Sequence, residues 1–169
     1  GKQTCLDVIE VSKKPVAISH ANPNFFHKSK RNIDTDILKK LVKKNGFIGL
    51  SLYPYHLKNL GDCTIEDFCE MIKKLINLIG EDNIGIGSDL CLNWPDDVVM
   101  WMRNGKWTKN IDYGESKDKN PKWPKLPSWY KQPSDLNNLF YLMCENNIPE
   151  KVSTKIIGQN WFNFMKNQF

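Results

Sequence analysis

Three short stretches of the chain are apolar almost throughout and stop at a polar residue. Pro15-Val16-Ala17-Ile18-Ser19 ends at His20, and Phe47-Ile48-Gly49-Leu50-Ser51-Leu52 ends at Tyr53-Pro54. Ile84-Gly85-Ile86-Gly87-Ser88 ends at Asp89. Continuous apolarity, in place of alternation, marks strands covered on both faces, as in parallel sheets. The pattern predicts strands at 15–19, 47–52 and 84–88. Between them apolar positions recur at helical spacing. Residues 4–14 read as the end of a helix with Cys5 and Ile9 inward. A helix over 34–45 is capped by Asp34 or Asn32 and stopped by Gly46. Thr64 with Asp67 opens another in capping-box fashion, and Ile65, Phe68, Ile72, Leu75, Ile76 and Ile79 trace its inner face up to Gly80.

Strands that alternate with helices in this way predict an α/β fold built of βαβ units with right-handed crossovers. The polar strand ends then share one edge, where ligands bind in α/β proteins. A closed eight-stranded barrel needs about 250 residues. The 169 residues therefore fit either a small open α/β domain or the later part of a (β/α)8 barrel.

The pattern changes at residue 90. Residues 90–133 carry Trp94, Trp101, Trp107, Trp123 and Trp129 with five prolines, too aromatic for a disordered linker. A short helix is predicted at 95–104 and irregular chain beyond it. So long a connection after a strand reads as a lid or pocket wall, the alternative being a packed surface excursion. Helices then follow at 135–146, capped by Ser134, and at 149–157, broken by Gly158, with a final turn or two capped by Asn160.

Composition adds limits. Apolar residues at 40% and charged residues at 25% are ordinary for a globular chain. No apolar run approaches the roughly 20 residues of a membrane span, so no membrane contact is expected of this segment. The net charge of +5 is spread over helix faces such as Lys39, Lys40, Lys43 and Lys44, which favours a solvated surface over a nucleic-acid patch. A basic nucleic-acid-binding module remains the third-ranked reading. Five cysteines form no CxxC pair, which disfavours a disulfide framework or a zinc knuckle and prefers a reducing compartment such as the cytoplasm, an export signal upstream being left open. The chain opens with Gly1 directly in helix-like sequence, as expected of a piece of a longer protein.

Three residues stand out chemically. His20, at a strand end among small residues, suits a metal ligand or general base, its plainer role being structural. Arg31, in the long loop 21–33 after His20, suits a clamp on a substrate carboxylate, its plainer role being an ordinary surface cation. Asp89, at a matching strand end, suits proton transfer beside a metal, its plainer role being a cap of the next segment. His27 and His56 also lie in rim loops, with no role fixed.

Together these blocks resemble the membrane dipeptidase family, the renal dipeptidase-like metallopeptidases, in its C-terminal half. The blocks are Ser19-His20-Ala21-Asn22, Arg31-Asn32-Ile33-Asp34 with Asp36, Gly85-Ile86-Gly87-Ser88-Asp89, and an ending of Glu150-Lys151-Val152, Lys155-Ile156-Ile157-Gly158 and Asn160-Trp161. Their order and spacing cover nearly the whole chain. The resemblance implies a (β/α)8 barrel of a metallo-dependent hydrolase, of which residues 1–169 form the C-terminal portion. It implies a binuclear zinc site and hydrolysis of dipeptides, with His20 a zinc ligand, Arg31 on the substrate's terminal carboxylate and Asp89 the acid/base group. Two departures accompany it. Leu90-Cys91-Leu92-Asn93 stands where the family commonly continues Phe-Asp-Gly, and the family's other metal ligands lie upstream of Gly1. These 169 residues alone are thus expected to be inactive, with activity in the parent or with the missing N-terminal half as partner; a homodimer is left open. The alternative is a non-catalytic barrel relative that binds a small ligand or partner.

Overall fold

A computed structural model describes residues 1–93, 95–104 and 122–168. Strands β1 (Ala17–Ile18), β2 (Phe47–Leu50) and β3 (Ile84–Ile86) form a parallel sheet in the order β1-β2-β3, with Ile18 beside Ile48 and Leu50 beside Ile86. Helices α1 (Lys2–Val11), α2 (Thr35–Lys43) and α3 (Ile65–Ile79) precede or link the strands. After β3 come α4 (Asp96–Asn104), α5 (Asp135–Glu145), α6 (Glu150–Thr154) and α7 (Asn160–Lys166).

The strands are shorter than the apolar runs, but their hydrogen bonding is not. Phe47 N–H donates to the Val16 carbonyl before β1 is counted, and Ala21 N–H to the Gly49 carbonyl after it. Leu52 N–H donates to the Ser88 carbonyl beyond the ends of β2 and β3. The pairing thus reaches the polar strand ends and fixes their relative heights.

The core lies where the helical periodicity put it. Ile37, Leu38 and Leu41 of α2 and Phe68, Ile72 and Leu75 of α3 are buried with Ile48, Leu50 and Ile84 of the sheet. The Thr64 side chain accepts from Asp67 N–H at 3.1 Å, as the capping pattern requires. Two other expected caps do not form. Asp34 spends its carboxylate on Lys2 and Asn24, and at the start of α5 it is Asp135, not Ser134, that accepts, from the backbone of Lys131 and Gln132.

The C-terminal segment also departs from expectation. Gly158 does not break it: α6 passes through a π-helical turn, Lys155–Gln159, into α7. Asn160 is no cap. It is buried, and its amide donates to the carbonyls of Glu81 at 2.7 Å and Ile84 at 2.8 Å. Trp161 donates from its indole to the Ile86 carbonyl at 2.7 Å and its ring lies 4.4 Å from that of Phe47. Bonds to the sheet outweigh the roughly 1 kcal/mol that an exposed helical glycine costs.

Within 90–133, Trp94, Trp107 and the chain over 105–121 lie outside the described residues, and the expected lid with them. The end of that stretch packs inward. Trp129 and Tyr130 are buried, Trp129 donating to the Cys63 carbonyl at 2.8 Å and meeting Phe68 ring to ring at 5.0 Å.

Candidate functional site

The polar ends of the three strands meet where two glycines let the backbones close. A Cβ at Gly49 or at Gly87 would collide with the Ser19 carbonyl, so only glycine allows the β1 end to lie across its neighbours. His20 follows Ser19 immediately.

The histidine faces a guanidinium. Arg31 Nη2 lies 2.7 Å from His20 Nε2, and Ser19 Oγ lies 2.8 Å from Nδ1. A guanidinium only donates, so Nε2 is the acceptor and carries the lone pair, while Nδ1–H donates to Ser19. His20 and Arg31 line a pocket of about 480 Å³ together with Ser19, Asn24, Lys30 and Asp34. The sequence placed these two side chains on one rim; the structure puts them in direct contact.

Asp89 takes a different position. It lies beyond the end of β3 with φ of 54°, left-handed backbone that costs a residue with a Cβ about 1–2 kcal/mol. It is exposed and lines a separate, smaller pocket of about 60 Å³ with Tyr53, Ser88, Leu90, Trp123 and Leu126. The Ser88 side chain bonds the buried Tyr130 hydroxyl, whose pKa is raised by burial. Cys91 also borders this pocket; its thiol is pushed up by burial and then by the charge of Asp89.

Behind the rim lies a buried polar cluster that the sequence reading did not assign: Asn22, Asn32, Ser51 and His56. The Asn22 amide donates to the carbonyls of Ser51 at 2.9 Å and His56 at 3.1 Å. Asn32 donates to the carbonyls of His27 at 2.7 Å and His56 at 3.0 Å, and accepts from Asn22 N–H at 2.9 Å. Ser51 Oγ stands 2.8 Å from His56 Nδ1. Burial, then the electrostatic effect of Arg31, His20 and His27, lowers the His56 pKa to about 4. One signal could have found the cluster: two asparagines flanking a long basic loop, at 22 and 32. Among the described residues Asn22 Oδ1 is buried without a hydrogen-bond partner.

The three rim residues all lie within residues 1–96, and those residues match the model of the membrane dipeptidase family, peptidase family M19. This chain belongs to the membrane dipeptidase family. It is 29% identical over 89 residues to an uncharacterised dipeptidase of Schizosaccharomyces pombe, covering 52% of this chain and 21% of that protein. It is 25% identical over 125 residues to a dipeptidase of Claviceps purpurea, covering 66% and 29%. The chain therefore spans less than a third of the length of these relatives. Among solved structures it is similar to an amidohydrolase of Pseudomonas aeruginosa, with a TM-score of 0.84 at 29% identity over 95% of this chain and 47% of that one. A metallopeptidase of Rhodobacter sphaeroides, solved with a phosphinate mimic of the dipeptide L-Ala-D-Ala, shares the fold at 19% identity, with a TM-score of 0.74 over 100% of this chain and 40% of that one.

The donors present bear on whether zinc fits here. His20 offers one imidazole lone pair, now facing a cation, which is what a metal would also take. Among the described residues no group of three or more His, Cys, Asp or Glu side chains comes together. Stable zinc sites use three or four protein ligands. The donor set thus fits one coordination position and not a complete centre.

Proposed function

We propose that the longer protein to which this chain belongs is a zinc-dependent dipeptidase, and that residues 1–169 form the later part of its (β/α)8 barrel. The observation that carries the reading is the Arg31–His20 contact of 2.7 Å at the strand edge, inside the region matched by the family. The contact supports this reading because a guanidinium suits a carboxylate and an imidazole nitrogen suits a metal.

Bound zinc would supply a Lewis acid and a water activated near neutral pH. The chain's own groups do the rest. His20 presents the Nε2 lone pair, its ring held by the bond from Nδ1 to Ser19. Arg31, released from Nε2, has a planar pair of donors for a peptide's terminal carboxylate. Asp89 is a carboxylate beyond the end of β3, with β2 between it and the strand of His20, able to take a proton and return it to the departing amine. Among the described residues the outer edges of β1 and β3 are unpaired, and there the rest of the parent barrel would pair, bringing the remaining metal ligands. The segment alone is accordingly inactive.

A second reading, a non-catalytic relative that binds a small ligand, draws on the placement of Asp89 in a pocket separate from His20 and on Leu90-Cys91-Leu92-Asn93 after it. The full-length protein decides. About two zinc ions per chain, reduced in His20→Ala, with dipeptide hydrolysis falling at least about 10²-fold in Asp89→Asn, support the enzyme. No metal after zinc supplementation, or unchanged hydrolysis in Asp89→Asn, overturns the zinc or the acid/base assignment respectively.

A further inference from the structure

Arg31 is exposed and sits in a loop of thirteen residues over 21–33, which by itself has no reason to hold a guanidinium still. Its neighbour Asn32 is the opposite case, buried with both amide hydrogens and the amide oxygen in use. Those three bonds reach three different segments: the chain leaving β1 at Asn22, the loop's own turn at His27, and the turn after β2 at His56. The His56 carbonyl accepts from Asn22 as well, so one acceptor gathers both ends of the loop. Ser29 Oγ then accepts the backbone N–H groups of Arg31 at 3.3 Å and Asn32 at 3.2 Å. A short parallel bridge between Pro23 and Ile33 closes the base.

From this geometry we infer that Asn32 is a positioning residue. It fixes the loop so that Arg31 stands against His20, and thereby gives the site its preference for ligands ending in a free carboxylate. The inference rests on the reading of Arg31 as the carboxylate clamp, but not on catalysis. Asparagine alone meets the requirement. Aspartate keeps the acceptor for Asn22 N–H and loses both donors; alanine loses all three bonds. A buried carbonyl left without its donor then relaxes toward water, carrying the loop with it.

The test uses the full-length protein and two probes, N-acetyl-L-alanine and N-acetyl-L-alaninamide, which differ only in the carboxylate. Binding is followed by calorimetry in the wild type, Asn32→Asp, Asn22→Asp, Arg31→Ala and the Asn32→Asp/Arg31→Ala double variant. The wild type is expected to prefer the carboxylate probe by about tenfold or more, the worth of a charge-assisted bond. Asn32→Asp should lose most of that preference while binding the amide as the wild type does, and the double variant should match Arg31→Ala. Asn22→Asp, which loosens the same turn through different bonds, should weaken the preference in the same sense. Retained amide binding shows that a variant is folded.

Three outcomes overturn the inference: a preference kept in Asn32→Asp, equal losses for both probes, or losses that add in the double variant. A wild type indifferent to the carboxylate also overturns it, since there would be nothing to position. A wild type that prefers the carboxylate yet cleaves no dipeptide removes the enzymatic reading and leaves this one standing.

Discussion

Acid should loosen this fold between pH 6.5 and about 4 through His56. The residue is 3% exposed, its Nδ1 stands against Ser51, and burial together with the electrostatic effect of Arg31, His20 and His27 brings its pKa from an ordinary 6.5 to about 4. The folded chain therefore keeps this ring unprotonated down to about pH 4, while the unfolded chain protonates it near 6.5. As the pH falls from 6.5 the unfolded state gains a proton that the folded state refuses, so stability is full above 6.5, falls between 6.5 and about 4, and levels below. At about 1.4 kcal/mol per pKa unit the whole difference is about 3 kcal/mol as an upper value. Carboxylates act lower. Asp34, held down by its bond from Lys2, and Asp135, held down by backbone N–H groups, lose their contribution only as the pH falls below 3.8. Urea titrations at pH 7.5, 6.5, 5.5 and 4.5, on the wild type and His56→Gln, separate the two. The variant should be less stable at pH 7.5, having lost the Ser51 contact and its packing, yet should lose less on acidification. Equal slopes in the two proteins between pH 6.5 and 4.5 would refute the assignment.

Two further outcomes follow from backbone contacts. Gly87→Ala places a methyl group against the Ser19 carbonyl and should cost roughly 1–3 kcal/mol by urea midpoint, with His20 displaced in its ring nitrogen NMR signals. An unshifted His20 signal would show that the strand end closes without help from that glycine. Asn160→Ala removes the two amide bonds that tie the last helix to Ile84 of β3 and to Glu81 in the turn before it, and should cost about 1–3 kcal/mol, with faster hydrogen exchange at the amides paired across β2 and β3. A global loss of stability without faster exchange there would place the role of Asn160 elsewhere.

What the sequence disclosed, and what it hid, divides by the range of the interaction. Periodicity depends on neighbours within a few positions, so the inner faces of α2 and α3 and the Thr64 cap were legible. So were the three strand ends that deliver His20, Tyr53 and Asp89, because a run of apolar residues ending in a polar one is itself local. The Arg31–His20 contact joins residues 11 apart across an irregular loop, and its distance is set by Asn22 and Asn32. Short amide side chains look like turn formers wherever they occur, since in isolation they do bond the nearby backbone. Here they serve carbonyls of the segment after β2, at Ser51 and His56, which no local pattern announces. Asn160 misled for the same reason: it read as a cap after a glycine, while its amide is bound to β3 and the helix runs on through a π-turn. Each of these asparagines is buried, and burial is what turned a local preference into a long-range one. An amide shut away from water must find partners or cost stability, so the fold recruited each where the turns and strand ends around it had carbonyls to spare. The consequence for function is direct. Arg31 at the rim is exposed, and its geometry is stored one residue away, in the buried asparagine that follows it.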